Sequence, residues 1–258
     1  GYYYIGYIYQ ALQFYSKAEF FYKKVKKNHN LYIDSQKNIA INKSKIGLFS
    51  EGEEKLIVLK NIFKNNEELL LALADLYRIN KNYDKAIHYY TKIINSNNET
   101  NIEYWRIYYL RGICFERLDQ WNEAEKDFLY SLEIEPTSPN VLNYLAYGWL
   151  ERDKNINLAT QMLVKAYKSN PDSYYILDSL AWAYFKNNKF NKALELMEKV
   201  IEMAPGEAIS LDHLADIYFA MKRKREAIFF WKQALDLAEP EDMLTEDIIK
   251  KLEKNDSG

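Results

Sequence analysis

The chain has 258 residues, 48 % of them hydrophobic, with only 8 Gly and 5 Pro. So few turn formers argue against a β-rich chain, while the hydrophobic share is enough for a continuous core, and together they point to an all-α protein. A net charge of −2 gives the whole molecule no nucleic-acid signature, the lone Cys114 excludes an internal disulfide framework, and no apolar run reaches the roughly 18–20 residues that cross a membrane.

A double row of small residues sets the organisation. One row runs Gly6, Ala40, Ala74, Gly112, Ala146, Ala181 and Ala215; the other runs Ala18, Gly52, Ala86, Ala124, Ala159, Ala193 and Ala227, at spacings of 34, 34, 38, 35, 34 and 34. Small residues let two helices approach closely, and the Leu, Tyr and Met beside them fill the surrounding space. The frame predicts an array over 1–239 of helix, turn, helix units near 1–32, 33–66, 67–100, 105–138, 139–173, 174–207 and 208–239, then a capping helix and tail over 240–258.

In the first unit Gly6, Tyr9, Tyr15, Ala18 and Tyr22 are in frame, so Gly1 is expected inside a helix and the chain is expected to open mid-repeat, as a piece of a longer array. The opening GYYYIGYIYQ lacks a basic region and reads as repeat rather than signal peptide. In the second unit Gly52 replaces Ala and Lys43 replaces an aromatic, so local softness is expected there. The third unit is regular, with Leu73, Tyr77, Tyr83 and Tyr90, and SNNETNIE after it adds four residues. Trp121, Phe128 and Pro136 mark the fourth, and the fifth carries a small insertion around Asn155 and Ile156. The last two align without a gap, Leu177 with Leu211, Tyr184 with Tyr218 and Met197 with Trp231, and Pro205 stops a helix between them. The final helix offers Met243, Ile248, Ile249 and Leu252 to the last unit.

This period and residue set resemble the tetratricopeptide repeat, which implies a right-handed superhelical solenoid of about seven units. Residues 143–237 are similar to C-terminal arrays of proteobacterial tetratricopeptide proteins, several of them lipid-anchored at the outer membrane, although Ala146 and Ala181 stand where Gly is common in that pattern. The resemblance implies a periplasmic or outer-membrane-associated location, with a lipid anchor upstream of Gly1, and leaves the cytoplasm as the alternative. In such arrays the first helices line the concave face, which implies groove positions at Tyr3, Tyr7, Lys37, Asp75, Arg78 and Arg117. Further along the array it implies Tyr109, Asn143 and Tyr147, and over the C-terminal half of the groove Tyr175, Asp178, Trp182, Phe185, Asp212, Asp216 and Phe219.

That second set is aromatic and acidic, suited to a protein or peptide partner, extended or helical, with apolar anchors and basic residues. Trp182 and Phe185 are expected to be surface anchors whose replacement by Ala leaves the melting curve unchanged. Each ring could equally be filler between repeats. Asp178 and Asp212 have the wrong sign to hold the terminal carboxylate that co-chaperone clamps of this class bind.

No set of residues converges for catalysis. His29, His88 and His213 fall in units one, three and seven, Cys114 has no His in its unit, and Asp212, His213 and Asp216 lack a fourth metal ligand. No Gly-rich phosphate loop occurs. The reading is therefore a non-enzymatic scaffold or adaptor with no cofactor, metal or small-molecule substrate. Two alternatives stand beside it: the substrate-recognition array of a larger enzyme such as a glycosyltransferase, and an anionic-surface binder acting through Lys222, Arg223, Lys224 and Arg225 or the Lys-rich first 48 residues.

Overall fold

The computed structural model describes residues 1–64, 66–96, 103–238 and 243–255, and among them every regular element is an α-helix. The first eight are α1 (Tyr2–Ala11), α2 (Tyr15–Tyr22), α3 (Tyr32–Lys45), α4 (Phe49–Ile62), α5 (Glu67–Ile79), α6 (Tyr83–Ile94), α7 (Tyr104–Arg117) and α8 (Trp121–Ile134). They are followed by α9 (Pro139–Glu151), α10 (Ile156–Ser169), α11 (Tyr174–Lys186), α12 (Phe190–Met203), α13 (Ala208–Ala220), α14 (Lys224–Leu237) and α15 (Met243–Asn255). Each odd helix up to α13 packs against the even helix that follows it, giving seven pairs, and α15 packs on α14. The chain divides into two compact bodies, Gly1–Ile134 and Glu135–Gly258, a division between α8 and α9 that the repeat frame does not mark.

The small rows lie where the helices of a pair cross. Ala18, Ala40, Ala74, Ala86, Ala124, Ala146, Ala159, Ala181, Ala193, Ala215 and Ala227 are all fully buried. At Gly112 a Cβ would meet the Phe128 ring at 2.7 Å, and at Gly52 it would meet the backbone oxygen of Ala40 at 2.5 Å. A backbone oxygen cannot turn aside as a side chain can, so Gly52, where the sequence led us to expect softness, is the residue that lets α3 and α4 touch. Lys43, in the place of an aromatic, bonds Glu51 at 2.6 Å.

Second helices then bury an i, i+3 pair that carries the stacking: Leu56 and Leu59, Tyr90 and Ile93, Leu163 and Ala166, Met197 and Val200, Trp231 and Ala234. Each fully buried Leu, Val or Met contributes about 1.5–3 kcal/mol. First helices also meet one another directly, α3 with α5 in the first body and α11 with both α9 and α13 in the second. On α1, by contrast, Ile8 is 58 % exposed although its frame equivalents Leu76, Ala183 and Ile217 are buried. Gly1 stands at the N-cap of α1 rather than inside it.

One local device recurs in all seven turns within the pairs. Gln13, Gly47, Lys81, Asp119, Asp153, Asn188 and Lys222 have left-handed φ, at spacings of 34, 34, 38, 34, 35 and 34. Each lies just past a helix end and forms the two backbone bonds of a Schellman motif; at the last turn, Lys222 N–H donates to Phe219 O at 3.0 Å and Arg223 N–H donates to Tyr218 O at 2.9 Å. The fifth pair adds Asn155 at φ 48°, so the extra residue lies where the sequence places it. The insertion read in SNNETNIE falls on 97–102, outside the described residues.

Only one of the seven turn positions is Gly, although a left-handed conformation costs an L-residue about 1–2 kcal/mol. Exchanging Lys222→Gly is therefore expected to raise stability by about 1 kcal/mol in a urea melt, and an unchanged or lower midpoint would refute this use of the turn geometry. At the C-terminus Ile248 of α15 is fully buried, Leu252 is half-buried and Ile249 is 39 % exposed; the Met243 side chain lies outside the described residues.

Candidate partner-binding groove

The expected groove residues fall in both bodies. In the first, Tyr109 on α7 is half-buried with its ring 6.3 Å from Phe128, while Asp75 accepts from Tyr90 Oη at 2.6 Å. Lys37 bonds Asp34 at 2.6 Å and Glu68 at 2.9 Å, at the edge of a polar concavity of about 570 Å³ along α3, α5 and α7. These side chains are tied to their neighbours before any ligand arrives.

The second body brings the remaining nine together along α9, α11 and α13, in two populations. One is buried and occupied within the chain. Trp182, 7 % exposed, stacks on Phe185 at 4.6 Å and on His213 at 4.2 Å, and its indole N–H donates to Glu151 at 2.8 Å. His213 Nδ1 in turn donates to Asp178 Oδ2 at 2.9 Å. One step along, Lys251 of α15 bonds both oxygens of Asp212 at 2.7 and 2.8 Å and Asp216 at 2.9 Å, while Trp231 donates to the other Asp216 oxygen at 2.9 Å. The aspartates thus join each first helix to the next element, and the expectation that Trp182 is a free surface anchor is corrected, because its faces are spent on His213 and Phe185.

The other population is open. Tyr175 and Phe219 are 42 % and 40 % exposed, and Tyr147 and Phe185 are half-buried. Asn143 lies between the two: it is 7 % exposed, yet among the described residues its Oδ1 has no hydrogen-bond partner, and Oδ1 of Asp178, which is 6 % exposed, has none either. Leaving a buried acceptor bare costs about 1–3 kcal/mol, more when it is charged, so both atoms need a reason.

Burial alone would strip the proton from His213, but the carboxylates of Asp178, Asp212 and Glu151 outweigh it and hold its pKa above the ordinary value. A pKa raised by folding means the stabilisation is complete below the unfolded value of about 6.5 and is lost as pH rises through the folded one. The second body is therefore expected to melt at lower temperature at pH 8 than at pH 6, and His213→Gln should flatten the slope in that window. An unchanged slope in the variant would assign the dependence elsewhere. Burial also pushes the Cys114 thiol up to about 12, which leaves it protonated and a poor nucleophile at neutral pH. Among the described residues no group of three or more His, Cys, Asp or Glu converges as metal ligands, and no helix is long and apolar enough to cross a membrane.

Two contacts lay beyond the sequence reading. Lys251 reaches back 39 residues to Asp212, a spacing outside the 34-residue frame, so no row arithmetic reveals it. His213 and Asp178 are 35 apart, one repeat plus one residue, and that offset was available in the frame.

Comparison with known proteins agrees with this architecture. Family models of the tetratricopeptide repeat match 67–100, 174–207 and 208–240. The TPR repeat-containing protein PA4667 of Pseudomonas aeruginosa is 32 % identical over 81 residues, covering 31 % of this chain but only 14 % of its own length. A tetratricopeptide repeat protein from Parabacteroides merdae superposes with a TM-score of 0.68 at 20 % identity, over 95 % of this chain and 94 % of that one. The APC/C hetero-tetramer Cut9–Hcn1 gives 0.70 at 16 % identity, covering 92 % of this chain and 48 % of that one. Yeast Tom70 gives 0.59 at 19 %, covering 93 % and 50 %. Three of the seven helix pairs on the 34-residue frame are thus matched by models of the tetratricopeptide repeat, and the chain carries tetratricopeptide repeats at 67–100, 174–207 and 208–240.

Proposed function

We propose that the chain is a non-catalytic scaffold whose second body holds a protein partner, as an extended peptide or a helix, along α9, α11 and α13. The observation that carries this is the run of open rings, Tyr147, Tyr175, Phe185 and Phe219, on three successive first helices. Large aromatics left partly in water beside a desolvated polar cluster have the composition of an interface centre. A structure of similar fold is a hetero-tetramer, Cut9–Hcn1, which fits assembly with another protein as the use of such a fold.

The buried Trp182, Asp178 and Asp212, with the half-buried Asp216, shape the surface from beneath, and the open rings make the contact. A double variant, Tyr175→Ser with Phe219→Ser, tests this by affinity capture followed by mass spectrometry. Because both residues are two-fifths exposed, the melting temperature should move little, while a protein retained by the native chain should be lost. Equal retention by the variant would remove the groove from consideration.

A further inference from the structure

Asn143 and Asp178 hold the same frame position on adjacent first helices, three residues before the small residues Ala146 and Ala181. Each is more than nine-tenths buried and keeps one oxygen with no donor among the described residues, although α9 and α11 pack directly together. The third member of the row, Asp212, has both oxygens filled by the Lys251 ammonium. The chain thus supplies its own example of the group this row accepts, a cationic side chain reaching in from another helix. One turn after Asn143 lies the half-buried ring of Tyr147, as Trp231 lies 5.9 Å from Lys251.

We propose that the junction of α9 and α11 is a seat for one basic side chain of the bound partner, an arginine or lysine donating to Asn143 Oδ1 and Asp178 Oδ1. The inference rests on the groove reading above and adds the partner's charge to it. Both oxygens accept, so the ligand must bring N–H donors, and the net charge around Asp178, Glu151 and His213 favours a cation. A guanidinium, with its fork of donors, suits two acceptors on neighbouring helices better than a single amide.

The probe is N-acetyl-arginine-N-methylamide, with the uncharged citrulline analogue as control, titrated while the indole N–H signal of Trp182 and the side-chain amide of Asn143 are followed by NMR. The arginine compound is expected to shift both saturably, and the citrulline compound at least tenfold more weakly. Asn143→Leu removes one bare acceptor without touching the ion pair to His213. It is expected to raise the melting temperature while weakening the arginine probe tenfold or more, an opposition that a purely structural residue would not show. Asp178→Asn should weaken the probe similarly. Equal response to the two probes, or full binding by Asn143→Leu, overturns the proposal. If Asn143→Leu still captures the partner that Tyr175→Ser with Phe219→Ser loses, the groove stands and the cation seat falls.

Discussion

Replacing Trp182 by Ala is expected to destabilise the second body by about 3–5 kcal/mol, the cost typical of truncating a buried indole to a methyl. Two stacked partners and a hydrogen bond to Glu151 are lost together, and the cavity opens beside a charged imidazole. Water entering that cavity would solvate His213 and Asp178 separately, so the loss should not be confined to packing. Chemical denaturation followed by helical signal would show an early transition for residues 135–258. A midpoint shift corresponding to less than about 1 kcal/mol would mean that the ring is a surface anchor after all. When the variant is destabilised as expected, its loss of partner capture says nothing about binding, which is why the capture test uses Tyr175 and Phe219.

The second large effect belongs to Lys251. Burial and the neighbouring Asp216 push the Asp212 carboxyl up, while the Lys251 ammonium pulls it back down. Exchanging Lys251→Met leaves two facing carboxylates without the ammonium that bonds them both, and the expected cost at neutral pH is about 2–4 kcal/mol, below the figure for a fully buried pair because this lysine is part-exposed. The sign with pH follows from the raised carboxyl: its neutral form is the one the fold prefers, so stability is full below the unfolded value of about 3.9 and falls as pH rises through the folded one. The variant should therefore recover part of its loss between pH 7 and pH 5. Failure to recover would show that α15 is held by Ile248 and its apolar neighbours, with the lysine a bystander.

The helix pairs were legible because their cause is local and periodic. Ala181 and Ala193 must be small for α11 and α12 to cross, and the same constraint repeats at each pair, so counting residues suffices. The Schellman turns were only partly legible, since Gln13, Lys81 and Lys222 carry no chemical mark of a left-handed backbone, whereas Gly47, Asn188, Asp119 and Asp153 are types that adopt it more readily. The groove rows named positions on α9, α11 and α13 but not the state of the side chains there. Whether Trp182 faces water depends on His213 one repeat later, and whether Asp212 is free depends on a lysine beyond the array's last pair. Burial of that kind is set between elements, where a single repeat holds no information.

The most direct measurement of the central claim is hydrogen–deuterium exchange of the intact protein with and without its captured partner. Protection is expected on α9, α11 and α13, strongest around Tyr147, Tyr175, Phe185 and Phe219, with exchange on α10, α12 and α14 unchanged. Protection confined to the second helices, or to Lys222–Arg225 and lost on adding salt, would contradict it.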